Sequence, residues 1–353
     1  GHLRLWQNGT LAPEPVKGIP AVLAEGQGGL LDVSKGPHYA QDGWIYLSYS
    51  HAQAVDGANK PNAMTRIVRG RLEGNQWTDQ EVIFEAPADR HLGTRHHYGS
   101  RIVFDRQGHV FFSIGDRGLS DQAQDLSRPN GKIHRLNLDG SLPADNPFIG
   151  IHGAMPSLFT YGNRNPQGMA VDPVSGDLWA AEHGPMGGDE LNHIAGGANY
   201  GWPIITYGRN YDGASVSEFQ RRIGMQQPAL YWKPSIAVCG IDFVHNSQFT
   251  RWNGKLLVGA LKYEEVRLLD IEADRVMHQE IILKHAGRVR DVHSAPDGAI
   301  YVVTNGPDAI LRLQPVHDNN PVSYTHLRAH ETPEHLVWPG QGLKKKGGGG
   351  GGG

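Results

Sequence analysis

His97 and Asp116 are the residues with the plainest chemistry in this chain. His97 stands in His96-His97-Tyr98-Gly99-Ser100-Arg101, just ahead of an apolar run; Asp116 stands in Ile114-Gly115-Asp116-Arg117-Gly118, just after the next one. If the two runs are arms of one hairpin, the carboxylate meets the imidazole. An imidazole titrates near neutrality and serves as a general base. A carboxylate beside it fixes the tautomer and stabilises the imidazolium. A purely structural His–Asp hydrogen bond fits the same spacing.

A second cluster runs from Tyr161 to Pro203. Arg164 and Asn165 occupy a turn closed by Pro166. The loop Glu182-His183-Gly184-Pro185-Met186-Gly187-Gly188-Asp189-Glu190 offers carboxylates and free backbone carbonyls, and Asn199-Tyr200-Gly201-Trp202-Pro203 returns aromatics to the same region. Hard oxygen ligands from an irregular loop suit calcium, which accepts flexible geometry. The loop carries neither the lysine of a phosphate-binding loop nor a dinucleotide fingerprint nor the EF-hand spacing. Calcium is therefore an inference from donor chemistry.

Cations form the third cluster. Arg288 and Arg290, at i and i+2 of a strand, share a side and repel unless an anion lies between them; a solvated face with Asp291 as counterion is the competing reading. With Lys262 and Arg164 they supply four cations to one site, which argues for a polyanionic small molecule. Gln27, flanked by Gly26 and Gly28, reads either as a tight turn or as a ligand contact.

These residues need elements to hold them, and the chain supplies a repeat. A turn rich in Asp, Asn and Gly precedes a β-branched or aromatic run at Asp42-Gly43, Gln107-Gly108, Gly176-Asp177, Asn253-Gly254 and Asp297-Gly298, roughly 45 to 80 residues apart. Such turns tolerate positive φ and the runs prefer a pleated strand. Alternating segments interleave with them: Gly131–Leu138, Val266–Ile271 and Ala309–Leu313. Met169 to Ala181 reads as strand, turn, strand, and Val216–Gly224 is the best short helical candidate. Irregular repeats of four-strand units fit an all-β fold, a β-propeller with large insertions. Five internal hairpin cores are visible, and His2–Gly9 reads as a third-strand segment, so a six-bladed ring is expected with its first blade incomplete in this chain. Propellers collect ligands at one end of the channel, where inner-strand loops converge.

Of the 353 residues, 1–315 carry this pattern. Residues 316–353 do not; they end in Lys344-Lys345-Lys346 and seven glycines and read as a non-native or disordered tail. Net charge is −3 and no basic run stands outside the tail, so nucleic acid has no electrostatic footprint. No apolar stretch reaches membrane-spanning length. Cys239 is the only cysteine, which excludes an intrachain disulfide and a cysteine-rich zinc site. The chain opens on Gly1, and further chain is expected ahead of it.

The ordered motifs GQGGLLDV, HHYGSR, GKIHRLNLDGSLPADNPF, YGNRNPQGMA, EHGPMGGDELN, NYGWP and GRVRDV together resemble the glucose/sorbosone dehydrogenase family, and within it the soluble aldose sugar dehydrogenases that use pyrroloquinoline quinone (PQQ). The resemblance implies a six-bladed β-propeller, a periplasmic or secreted location, an aldose substrate, an external electron acceptor and a monomer or homodimer. It implies that His97 removes the proton of the sugar C1 hydroxyl while hydride passes to the quinone, with Asp116 supporting the base. Gln27, Arg164, Asn165, Tyr211, Lys262, Arg288 and Arg290 match cofactor-binding positions. The carbonyls of Gly184 and Pro185 match ligands of the calcium that holds PQQ; Glu190 and the Tyr200 backbone match a second calcium site. Family members begin with a further β segment that is absent here, and His96 and Asp121-Gln122 stand where glucose-specific relatives carry other residues. A calcium-dependent propeller lactonase and a non-catalytic propeller scaffold are the alternatives.

Overall fold

The computed structural model describes residues 1–7, 10–55, 59–315 and 327–330. Five four-stranded antiparallel meanders follow one another. Blade 1 comprises β3 (Leu30–Lys35), β4 (Ile45–Gln53), β5 (Asn62–Glu73) and β6 (Gln76–Phe84). Blade 2 comprises β7 (Ile102–Phe104), β8 (His109–Ile114), β9 (Lys132–Asn137) and β10 (Leu158–Tyr161). Blade 3 comprises β11 (Pro166–Val171), β12 (Leu178–Glu182), β13 (Asp189–Ile194) and β14 (Leu230–Trp232). Blade 4 comprises β15 (Val238–Phe243), β16 (Leu256–Ala260), β17 (Glu265–Glu272) and β18 (Arg275–Lys284). Blade 5 comprises β19 (Arg288–Ser294), β20 (Ile300–Asn305), β21 (Ala309–Pro315) and β22 (Leu327–His330).

The expected second and third strands are all present. Two other expectations change. The described residues form five four-stranded blades in place of six, and the N-terminal segment is a hairpin, β1 (Trp6–Gln7) on β2 (Thr10–Leu11). That segment docks on blade 1: Leu3 and Val16 pack with Ile45, Leu47, Val68 and Trp77, and Lys17 pairs with Gln76 in parallel. Its apolar residues are already satisfied there. Val216–Gly224 is irregular instead of helical, because Ser215 and Ser217 hydroxyls take the Ser217 and Ile204 carbonyls and compete with helical bonding. At Asp42-Gly43 the connection is a one-turn helix, Tyr39–Asp42, ended by Gly43 at φ 71°. Within the expected tail, Leu327–His330 pairs antiparallel with β21; the rest of 316–353 lies outside the described residues.

Apolar layers lie between successive blades: around Phe112 and Ile67 for blades 1 and 2, Phe111 and Met169 for 2 and 3, Trp179 and Val258 for 3 and 4, Leu257 and Val302 for 4 and 5. Each large side chain buried there contributes roughly 1.5–3 kcal/mol. Exposed ion pairs contribute roughly 0–1 kcal/mol, so the layers hold the blades. Among the described residues no such layer joins blade 5 to blade 1.

Four of the five inner strands share one irregularity, β7 being the exception. The register breaks between Leu30 and Asp32 in β3, Pro166 and Gly168 in β11, Val238 and Ile241 in β15, and Val289 and Asp291 in β19. Bulges re-aim side chains and gather beside sites. The sequence motifs of interest all sit at this end of the inner strands.

Candidate functional site

His97 precedes β7 with φ 53°, and Arg117, after β8, has φ 58°. Left-handed backbone at bulky residues costs roughly 1–3 kcal/mol and survives only where surroundings enforce it. Here the enforcement is visible. Arg117 is fully buried, its guanidinium 3.5 Å from the Tyr98 ring centroid, and it donates to the carbonyls of His96, Ala63 and Thr94. Gln27 Oε1 accepts the His97 backbone N–H at 2.8 Å.

His97 Nδ1 lies 2.7 Å from Asp116 Oδ1, with side-chain exposures of 16% and 2%. The Gly118 N–H also donates to Oδ1 at 2.7 Å, and Trp202 Nε1 donates to Oδ2 at 2.7 Å. Burial opposes ionisation of Asp116, but the hydrogen bond and charge of His97, the Gly118 N–H and Arg164 outweigh it and hold the carboxyl below its usual range. An ionised carboxylate only accepts, so Nδ1 carries the proton and Nε2 keeps the basic lone pair. A cavity of about 370 Å³ is lined by His97, Asp116, Arg164, Pro185, Trp202 and Tyr211. Tyr211 is 77% exposed, at the rim. The Asp116 N–H donates to the Arg164 carbonyl at 2.7 Å, which ties the base to the first cation.

The hairpin of β12 and β13 places Glu182 directly opposite Glu190. Like charges in that position repel, and both carboxyls are pushed up by burial, Glu182 to about 7 and Glu190 well above its usual value, the latter also by Glu182. Asn192 Nδ2 donates to both, at 3.0 and 3.3 Å, and its buried Oδ1 has no partner. The Asn192 amide thus bridges the two carboxylates, while its own oxygen is left without a donor. The adjoining loop is held by Asp189, which accepts from Gly184, Ala237 and Val238 N–H groups. Gly184 is required there: a Cβ would stand 2.2 Å from the Gly188 carbonyl oxygen. No donor among the described residues reaches the Gly184 carbonyl, and the Pro185 carbonyl accepts only a 3.3 Å bond from Ser235. Glu182, Gly184, Glu190, Tyr200 and Arg164 line one small cavity. Among the described residues no three His, Cys, Asp or Glu side chains gather as a metal site, so a metal here would need carbonyl and amide oxygens as well.

The remaining expected residues divide. Asn165 Oδ1 accepts from Gly99 N at 3.2 Å, beside the base. Lys262, Arg288 and Arg290 stand at the same end of blades 4 and 5, all exposed, but are not on the wall of the His97 cavity. Arg288 and Arg290 flank buried Val289. Asp291 is not their counterion; it pairs with Arg101 at 3.2 Å. Among the described residues no carboxylate lies within 4.0 Å of the side-chain nitrogens of Arg164, Lys262, Arg288 or Arg290; Glu182 meets Arg164 only through its backbone N–H, at 2.7 Å. Sequence reasoning did not single out Trp202, Arg117 or Glu182 for their parts here. Only Glu182 had a readable signal: it and Glu190 bracket the glycine loop.

Residues 1–313 match the family described as Glucose / Sorbosone dehydrogenase. Aldose sugar dehydrogenase YliI of Escherichia coli (strain K12) is 43% identical over 321 residues, 89% of this chain and 85% of that protein. The crystal structure of the soluble aldose sugar dehydrogenase from Escherichia coli in the apo-form superimposes with a TM-score of 0.81 at 42% identity, over 87% of this chain and 88% of that one. The PQQ-bound form of aldose sugar dehydrogenase from Streptomyces coelicolor does so with a TM-score of 0.67 at 25% identity, over 90% and 83%. With its five described blades and the family match over residues 1–313, this chain belongs to the glucose/sorbosone dehydrogenase family.

Proposed function

We propose that residues 1–315 form a PQQ-dependent aldose sugar dehydrogenase, which oxidises the sugar C1 hydroxyl to the lactone outside the cytoplasm. The observation that carries this reading is a base with a buried carboxylate behind it, 2.7 Å away, at the same end of the inner strands as four cations without carboxylate partners. PQQ bears three carboxylates, and the cation set fits them; a lactonase would have no use for it. PQQ, when bound, supplies the hydride acceptor and calcium polarises it.

The chain's own residues do the rest. His97 Nε2 takes the C1 hydroxyl proton. Asp116 holds Nδ1–H and stabilises the imidazolium, a base contribution of about 10²- to 10⁴-fold. Gln27 and Asn165 fix the backbone on either side of His97. Arg164, Lys262, Arg288 and Arg290 bind the cofactor carboxylates, and Tyr211 covers the rim. The unpaired Gly184 and Pro185 carbonyls would hold the calcium at the cofactor. Glu190, with the Tyr200 backbone, would hold a second calcium; the repelling Glu182–Glu190 pair and the orphaned Asn192 Oδ1 support that assignment.

The test is titration of the purified chain with PQQ and calcium, followed by aldose-dependent reduction of an artificial dye. Dye reduction that needs both and is lost in His97→Ala supports the reading. Failure of PQQ to bind in calcium overturns it.

A further inference from the structure

Arg101 precedes β7 and has no part in the reading above. Its guanidinium nonetheless reaches the inner strand of every other blade. Nε donates to the Gln167 carbonyl of β11 at 2.8 Å. Nη1 lies 3.2 Å from Asp32 Oδ1 of β3 and 3.2 Å from Asp291 Oδ2 of β19. Nη2 donates to the Arg290 carbonyl of β19 at 2.7 Å and lies 3.9 Å from Cys239 Sγ of β15. These partners lie where the registers break: Gln167 between Pro166 and Gly168, Cys239 between Val238 and Ile241, Arg290 between Val289 and Asp291. A bulge leaves its extra residue off the ladder, and the five-donor fork of an arginine can take several such groups at once.

The contacts lead straight to the cofactor-binding side chains. Arg290 is held by its own carbonyl. Gln167 Nε2 donates to the Gly99 carbonyl at 2.7 Å and to Asn165 Oδ1 at 3.3 Å, so Arg101, Gln167, Asn165 and Gly99 form one network. Blades 5 and 1 share no apolar layer among the described residues, and Asp291–Arg101–Asp32 is the direct link between them. Arg101 also walls the 530 Å³ cavity toward the far ends of the inner strands, with Asp32, Asp242 and His293.

We propose that Arg101 is a positioning residue: by anchoring the bulges of β11 and β19 to the propeller axis it sets the directions of Asn165 and Arg290 and so organises the anion-binding end of the ring. The inference rests on the quinoprotein reading for the identity of the anion, not for the anchoring itself.

Arg101→Lys keeps the charge but cannot span the five contacts. Two readouts on the full chain decide the matter: hydrogen exchange without cofactor, and PQQ affinity in calcium followed by tryptophan quenching. The expected result is exchange about tenfold faster at 288–292 and 165–169, with 110–114 unchanged, together with PQQ binding weakened roughly 10- to 100-fold. Unchanged exchange overturns the proposal, and so does faster exchange with unchanged PQQ affinity. If the unaltered chain binds no PQQ while the exchange effect appears, the anchoring stands and the quinoprotein reading alone falls. Should Arg101→Lys not fold, Asp291→Ala, which removes one contact, is expected to show the same pattern at smaller amplitude; no change in either readout then overturns the proposal.

Discussion

Trp202 Nε1 and Asp116 Oδ2 lie 2.7 Å apart, on the carboxylate oxygen that His97 does not use. The indole thereby prevents the carboxylate from rotating off the imidazole. Hydrogen bonds to charged groups are worth about 1.5–3 kcal/mol, so Trp202→Phe is expected to lower kcat for aldose oxidation roughly 10- to 100-fold. KM for the sugar and PQQ affinity should move much less, because neither is bound through that oxygen. Asp116→Asn should cost more, about 10²- to 10⁴-fold in kcat, since an amide NH2 can donate to Nδ1 and leave the imidazole proton on Nε2, the wrong tautomer for a base. Steady-state kinetics at saturating PQQ separates the two variants; equal kcat in Trp202→Phe and the unaltered chain would sink the argument.

The Glu182–Glu190 pair makes a prediction that runs against the usual effect of removing a buried charge. Without metal, Glu182 holds its proton up to about 7 because it is buried. Its folded pKa is raised, so its contribution to stability is present below about pH 4.5 and is lost as pH rises through about 7. A calcium ion needs ionised carboxylates, so calcium affinity should rise as pH climbs through about 7 and should not level off while Glu190, itself raised well above its usual value, still holds a proton. Glu190→Gln should raise Tm of the metal-free chain at pH 8 and abolish the further rise that calcium gives. Thermal scans with calcium and with chelator check both halves.

Much of this architecture is legible in the chain, for identifiable reasons. Second strands follow Asp/Asn/Gly turns, and third strands alternate, so β8, β9, β16, β17, β20 and β21 could be placed by local pattern. The His97–Asp116 pair was legible because the two residues flank the short β7–β8 hairpin at its open end. What stayed hidden is long-range. Trp202 meets Asp116 across 86 positions and Arg101 meets Asp291 across 190, and no periodicity reports such partners. β14 is only Leu230–Trp232 and follows a long irregular insertion, so it carries no pattern of its own. The blade count went wrong because the N-terminal segment satisfies its apolar residues against blade 1 instead of entering another sheet.

His134 should make the fold acid-labile. It is fully buried and stacks on Phe112 at 5.0 Å; Nε2 meets the Pro129 carbonyl at 2.8 Å and Nδ1 the Ser157 hydroxyl at 3.0 Å. Burial lowers its pKa from 6.5 to about 3. Between those values the unfolded chain binds more protons, so stability falls as pH drops below about 6.5. Two pH units of that slope are worth roughly 2–3 kcal/mol. Urea unfolding at pH 7 and pH 4.5 should show this loss, and His134→Leu should be less sensitive to pH by about that amount. An equal pH dependence in the two proteins would remove His134 from the account.

The four cations should not contribute equally to anion binding. Arg164 is buried, its Nε is unpartnered, and it lies 5.3 Å from the Trp202 ring centroid. Removing one member of a desolvated, hydrogen-bonded charge pair costs roughly 2–5 kcal/mol. Lys262 and Arg288 are exposed and act through solvent, where a pair is worth roughly 0–1 kcal/mol and is screened over about 10 Å at 0.1 M salt. Arg164→Met is therefore expected to weaken PQQ binding at least about 30-fold at any ionic strength. Arg288→Gln should weaken it by less than about tenfold at low salt and lose that difference as salt is raised. Titrations of PQQ into each variant at several salt concentrations test the ordering. A larger loss in Arg288→Gln than in Arg164→Met would mean that the anion sits over blade 5 and not against the His97 cavity, and the proposed orientation of the cofactor would have to be abandoned.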